Sequence, residues 1–212
     1  MIMTSSLPPS LFKGFSAILL TIGIAWATIL PSAAADAPSA EDYVTKITQD
    51  ALTILRTHQT DAGREEAFGE LIDRTTNMRR IARFTLGPVA RSVSDEELAR
   101  FEKALRNNLV KIYANRLASY TNERVETQGE QKKGRNHLVA SKIIFASERP
   151  PLDMTWWIIE EKDGSFTLFD IQILGVWMAQ EQRDIFTGIL KSNNQSIDAL
   201  IAHLEKQPTS AD

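Results

Sequence analysis

Cysteine is absent from all 212 residues. That excludes disulfides, thiol catalysis, thiolate metal sites and lipid anchoring through a terminal cysteine, so an exported domain would rest on its apolar core alone. Histidine is almost as scarce. His58, His137 and His203 fall on different expected elements with no carboxylate at ligand spacing, which reads as surface or satisfied core positions and gives no metal centre. The ten glycines form neither a phosphate-cradling loop nor a dinucleotide fingerprint, and there is no Gly-x-Ser-x-Gly elbow or His-Glu-x-x-His helix. No catalytic set and no cofactor is therefore expected. Neither sign of charge dominates: 24 basic residues stand against 27 acidic ones, which offers nothing to nucleic acid or to an anionic membrane.

What is present begins at the N-terminus. Lys13 is the single early charge, followed by an apolar run from Gly14 to Leu30, then Pro31, Ser32 and Ala33-Ala34-Ala35, the three-part layout of a secretory signal. A signal peptidase needs small side chains at the first and third positions before its cut, so Ala33 and Ala35 place cleavage between Ala35 and Asp36. The expected organisation is a signal peptide over 1–35 and one domain over 36–212. An uncleaved anchor is the alternative, since the apolar run lies at the lower limit of the roughly 17 to 25 residues that span a bilayer. Without Lys13 the 24 basic residues fall by one, giving the mature chain a formal charge of −4.

Beyond the leader, Tyr43, Ile47, Ala51, Ile54 and Leu55 recur at three- and four-residue intervals and predict a helix from Asp42 to about Thr57. Asp61-Ala62-Gly63 reads as an interruption before a short helix over Glu65 to Ile72. A third carries Met78, Ile81, Ala82 and Leu86 and stops at Gly87-Pro88. Ser94 to Glu97 form a capping box that opens the longest helix, with Leu98, Phe101, Leu105, Leu109, Ile112, Tyr113, Leu117 and Tyr120 in one stripe. The period then changes to two. Four strands are expected at Arg124 to Glu130, Asn136 to Ser147, Thr155 to Glu161 and Ser165 to Leu174, in an antiparallel meander. A tight turn centred on Asp163-Gly164 pairs Trp156 with Ile171, Ile158 with Phe169, Trp157 with Asp170 and Ile159 with Leu168. Two helices follow, over Met178 to Lys191 and Ser196 to Lys206.

Few positions stand out chemically. Asp170 is the candidate special carboxylate: it either pairs with a cation such as Arg183, bonds backbone at the strand-to-helix junction, or serves as an acid or base with a raised pKa. Arg79, Arg80 and Arg83 form one basic cluster, and Lys132, Lys133 and Arg135 another. Each reads as solvated surface charge or as a surface that docks an acidic partner or meets a lipid headgroup.

The segment Phe169-Asp170-Ile171-Gln172-Ile173-Leu174-Gly175-Val176-Trp177-Met178-Ala179, followed by Gln182-Arg183-Asp184-Ile185-Phe186, resembles the signature of the MlaC and toluene-tolerance family. Leu86-Gly87, Phe101, Leu105, Tyr113 and Leu200-Ile201 match it too, and the likeness runs from Glu41 to Lys206. Trp177 stands where the family commonly has Ser, and Val89 or Ala90 replaces a frequent aromatic. A hopanoid-associated branch of the family is also similar. The resemblance implies an α+β fold, a curved antiparallel sheet of about four strands packed by helices into a nuclear-transport-factor-like cone with an apolar pocket. It further implies a non-enzymatic periplasmic carrier that takes the acyl chains of a glycerophospholipid, or alternatively a hopanoid or other polycyclic lipid. Its partners would be an inner-membrane ABC transporter complex and an outer-membrane lipoprotein complex. An exported enzyme using Asp170 is the rival from another class. Combined with the periodicity, the expected lining is Phe101, Leu105, Ile112, Trp156, Ile158, Phe169, Ile171, Val176 and Met178, with either face of the sheet able to supply it.

Overall fold

Capping chemistry sets where the helices begin. The computed structural model describes residues 38–118 and 122–206; the expected signal peptide, its cleavage point and Tyr120 lie outside them. Helix α1 (Ala40–Thr57) starts from a capping box in which Ser39 and Asp42 each bond the other's backbone N–H. Helix α2 (Asp61–Thr75) corrects the expected start at Glu65. Thr60 accepts a bond from the N–H of Gly63 at 3.1 Å, so Asp61-Ala62-Gly63 is the first turn of the helix and no interruption. Helix α3 (Met78–Leu86) ends at Gly87 as expected and passes into a 3₁₀ turn over Gly87–Arg91.

Helix α4 (Asp95–Arg116) opens on the expected Ser94–Glu97 box, with Ser94 N donating to Glu97 at 2.8 Å and Glu97 N to Ser94 at 3.1 Å. Leu98, Phe101 and Leu105 are buried against α3, α5 (Met178–Ser192) and α6 (Ile197–Lys206). Further along, the buried face rotates to Asn108, Val110 and Ala114, leaving Leu109 and Ile112 half-buried. Two neighbours explain the departure from one stripe: Asn108 donates to the Leu204 carbonyl at 3.0 Å, and Ala114 packs with Ile54, Leu55, Phe68 and Leu71 of α1 and α2.

Five antiparallel strands form the sheet in sequence order: β1 (Arg124–Lys133), β2 (Asn136–Ile144), β3 (Leu152–Glu160), β4 (Phe166–Ile173) and β5 (Val176–Trp177). The two-residue β5 is one strand more than expected. β1 also runs beyond Glu130 to a turn at Gly134, because Gln128 is taken up as the extra residue of a bulge and Gly129, at φ +117°, pairs with Ala140 and does not open a loop.

The β3–β4 turn corrects the expected register in part. Glu161 N donates to the Ser165 carbonyl at 2.7 Å, which leaves three residues in the loop. The longer loop pairs Ile158 with Leu168 and Ile159 with Thr167. Phe169 is then the extra residue of a bulge, beyond which Trp157 faces Asp170 and Trp156 faces Ile171 as expected. The bulge breaks strand alternation, so Phe169 and Asp170 are consecutive buried residues that both serve the helical side of the sheet.

The two faces carry separate cores. On one, Val139, Met154, Trp156 and Ile158 lie under Ala40, Val44 and Ile47 of α1. On the other, Trp157, Ile159 and Phe169 join the larger core of α3, α4, α5 and α6.

Candidate functional site

Strand pairing places Ala140, Thr155, Gln172 and Trp177 in one row across β2, β3, β4 and β5, with Leu138, Trp157 and Asp170 in the row beside it. These rows belong to the face that the helices cover, and α3 to α6 reach only part of it. The remainder is an open groove of about 490 Å³, lined by Gln128, Gly129, Glu130, Gln131, Leu138, Ala140, Thr155, Gln172 and Trp177. Its floor is apolar at Leu138, Ala140 and Trp177 and carries amides and a hydroxyl around them.

A line of aromatic rings closes the inner end. Trp177 meets Trp157 at 5.8 Å between ring centroids, Trp157 meets Phe169 at 4.9 Å, and Phe169 meets Phe84 at 5.1 Å, all edge to face. Arg183 lies over the Phe84 ring at 5.1 Å, and the Trp157 indole N–H donates to Asn136 at 2.9 Å. Beyond Phe169 begins the sealed core of Phe101, Leu105 and Phe186. The aromatic line therefore separates an open groove from a closed interior, and edge-to-face pairs hold it with about 0.5–1.5 kcal/mol each beyond their buried area.

Asp170 fixes this boundary to the next helix. At 5% exposure its carboxylate accepts from Ile171 N at 2.7 Å and from Ala179 N at 2.8 Å, near the start of α5. Trp177, the residue that precedes that helix, supplies no side-chain cap, so the cap comes from the neighbouring strand. Burial raises the Asp170 pKa above the ordinary carboxylate value, and the bonds from Ala179, Ile171, Gln180 and Met178 offset part of that. Of the three readings of Asp170, backbone bonding at the strand-to-helix junction is the one that the contacts display; Arg183 is engaged with Phe84.

The nine expected lining residues do not come together. Phe101, Leu105 and Phe169 lie in the helical core. Trp156 and Ile158, with Ile171 packed against them, lie under α1 on the opposite face. Ile112 and Met178 are half-buried, and Val176 is 45% exposed on β5. The apolar groove residues Leu138, Ala140 and Trp177 were not among the nine, although the pairing of Trp157 with Asp170 on the reverse of the hairpin pointed to that face of the sheet.

The basic clusters are largely paired within the chain. Arg79 reaches Asp95 at 2.5 Å and Glu102 at 4.0 Å, and Arg83 reaches Asp95 at 3.8 Å. Arg80 grips Glu161 with two nitrogens, at 2.7 and 3.0 Å, and also bonds Thr167. The bonds from Arg80 and Thr167 hold Glu161 below its ordinary pKa. A polar hollow of about 480 Å³ beside them mixes Arg74 and Arg79 with Asp73, Glu102 and Glu161. Lys132 pairs with Glu160 at 2.8 Å.

His137 is a satisfied core position, one of the two readings given for the histidines. Only 3% exposed, it meets Glu130 at 2.5 Å and Glu160 at 3.1 Å from the two neighbouring strands. The two carboxylates contact different ring nitrogens and do not converge on a common point. Among the described residues, no group of three or more His, Asp or Glu could hold a metal ion, and no helix is long and apolar enough to cross a membrane.

Comparison with known proteins adds the context of this architecture. A family profile described as MlaC protein matches residues 45–206. The intermembrane phospholipid transport system binding protein MlaC of Haemophilus influenzae is 28% identical over 124 residues, 57% of this chain and 57% of that protein; the match thus spans little more than half the length of that relative. A solved phospholipid-binding protein from Ralstonia solanacearum, determined in complex with a phospholipid, superposes with a TM-score of 0.69. It is 16% identical, and the match covers 79% of this chain and 96% of that one, a likeness of fold.

Proposed function

The chain belongs to the MlaC protein family, and from that premise we propose that it is a periplasmic, non-enzymatic carrier of glycerophospholipid. The observation that carries the reading is the half-open sheet face, where an apolar-floored groove abuts a large closed core across a line of aromatic rings. The H. influenzae relative is named for intermembrane phospholipid transport and the R. solanacearum structure holds a phospholipid; both support the choice of ligand. In this reading 1–35 is a signal peptide and 36–212 the carrier domain. An inner-membrane ABC transporter complex and an outer-membrane lipoprotein complex are its exchange partners. Arg79 and Arg83, each about half exposed, are available to dock them.

Leaving two acyl chains in water costs on the order of 20 kcal/mol at about 0.8 kcal/mol per methylene. A carrier must recover most of that by enclosure. At about 490 Å³ the groove falls in the lower half of the range of about 300–1,000 Å³ for ligand pockets. The chains therefore start in the groove over Leu138 and Trp177 and part Trp157 from Phe169. Their ends are received among Phe101, Leu105 and Phe186, with Met178 and Val176 near the mouth. Gln128, Thr155 and Gln172 supply hydrogen bonds for ester and phosphate oxygens at the open end. Trp156, Ile158 and Ile171 remain structural in this reading, under α1.

Native mass spectrometry of protein purified from the periplasm without detergent, followed by organic extraction, tests it. Co-purifying diacyl phospholipid is the expected result. A bare protein that also refuses added phospholipid sinks the proposal.

A further inference from the structure

At the β4–β5 turn, backbone conformation and residue chemistry disagree. Leu174 and Gly175 both have positive φ, +51° and +82°, the two-residue primed turn that Asn-Gly or Gly-Gly adopts easily. Leucine at the first position is strained by its Cβ, and it is 76% exposed, with Val176 beyond it at 45%. An asparagine would relieve the strain and remove the exposed apolar surface at once. The turn also forms the lip of the groove. The second pair below it is Gln172 with Trp177, both groove-lining residues, and Gln172 donates its side-chain amide to the Gly175 carbonyl at 3.2 Å.

We propose that this hairpin tip is a wedge that enters the surface of a lipid bilayer and sets the groove mouth against it, an inference that rests on the carrier reading. Size favours a bilayer over a protein partner: Leu174 and Val176 present two side chains, whereas a specific protein interface covers about 800 Å² on each partner. Charge points the same way. Ile173, Leu174, Gly175 and Val176 are uncharged, so the attraction is hydrophobic and indifferent to anionic lipid and to salt. Continuity completes the argument, because the tip stands beside Trp177, from which the aromatic line leads through Trp157 and Phe169 toward the closed core. One leucine sunk into hydrocarbon attaches weakly and reversibly, which suits a carrier that must leave with its cargo.

The test compares the mature protein with Leu174→Asn, using flotation with phosphatidylcholine vesicles, with and without phosphatidylglycerol, and transfer of a fluorescent phospholipid between vesicles. Leu174→Asn is expected to melt at a higher temperature and to float about tenfold less. It should transfer more slowly in proportion while holding the same amount of lipid at equilibrium. Leu174→Trp, which keeps an apolar tip, is expected to float at least as well as the parent. Flotation of Leu174→Asn equal to the parent's, or parental binding that requires phosphatidylglycerol and fades with salt, overturns the wedge. So does a parent that transfers lipid yet never floats, which would turn the tip toward a protein partner. Protein that floats through Leu174 but neither holds nor transfers phospholipid would support the wedge and sink the carrier reading.

Discussion

One face of one sheet is finished in two ways. Where α3 to α6 pack on it, the helices seal it: Leu86, Leu98, Phe101, Leu105, Phe186, Leu190 and Leu200 are all buried to 1% exposure or less. Along the groove, which crosses β1 to β5, the same face is left bare and mixes apolar positions with amides and a hydroxyl, as at Leu138, Ala140, Thr155 and Gln172. Stability resides in the first half. In the proposed carrier the ligand enters by the second, since a groove with polar groups among its apolar ones can stay hydrated until it is filled. Between them stand Trp157, Trp177 and Phe169, rings held to one another by edge contacts worth about 0.5–1.5 kcal/mol each.

The strongest way to break this contrast is to hollow the sealed half. Phe186 is fully buried and meets Phe101 edge to face at 5.8 Å. Phe186→Ala is expected to cost about 3–5 kcal/mol, which for a domain of this size lowers the melting temperature by roughly 10 °C. Calorimetry checks it, and a loss under about 1 kcal/mol would mean that the helical core is not tightly closed. Trp177→Ala, in the open half, should show the reverse pattern. Stability falls by no more than about 1 kcal/mol, because the ring is half-buried, while retention of phospholipid through gel filtration drops at least about tenfold. Equal retention would move the ligand away from the groove.

Much of the sealed half was legible in the sequence, because it obeys periodicity. Met78, Ile81, Ala82 and Leu86 announced α3, and the Ser94–Glu97 box announced α4. The start of α2 was not legible, since Gly63 read as a breaker while the decisive Thr60 cap is one hydroxyl. The β3–β4 register was readable only as far as the turn length could be guessed, and one additional loop residue moved Ile158 from Phe169 to Leu168. The groove was hidden for a physical reason: its mixed polarity gives no hydrophobic signal, and its residues come from five strands. The same holds for Glu130, His137 and Glu160, which meet only once three strands are side by side.

A smaller effect sharpens the boundary between the halves. Asp170 anchors the first turn of α5 to β4, so Asp170→Ala is expected to cost about 1–2 kcal/mol at pH 7, as loss of a helix cap does, and Asp170→Asn, which keeps an accepting oxygen, less. Its pH dependence has a definite sign. Burial raises the Asp170 pKa, so the folded protein takes up this proton more readily than the unfolded chain. The resulting stability is fully present below the unfolded value of about 3.9 and is lost as pH rises through the folded pKa. Removing the carboxyl removes a contribution that opposes acid unfolding. Urea titrations of Asp170→Asn should therefore show stability falling more steeply between neutral pH and about 4 than in the parent; parallel pH profiles would contradict the raised pKa.

The smallest expected effect lies on the far side of the sealed half, where Arg80 of α3 grips Glu161 beside the β3–β4 turn. Both side chains are partly exposed, 32% and 23%, so solvent screens the pair and Glu161→Gln should cost no more than about 1 kcal/mol at pH 7. Here the sign is opposite to that of Asp170. Arg80 and Thr167 lower the Glu161 pKa, so its contribution is present above the unfolded value of about 4.3 and is lost as pH falls through the folded one. Parent and variant stabilities should converge on acidification. Phospholipid retention should not change at any pH where both are folded, because this clasp touches neither the groove nor the aromatic line. A Glu161→Gln protein that is equally stable but loses lipid would mean that the polar hollow around Arg74 and Arg79, and not the open groove, receives the ligand's headgroup.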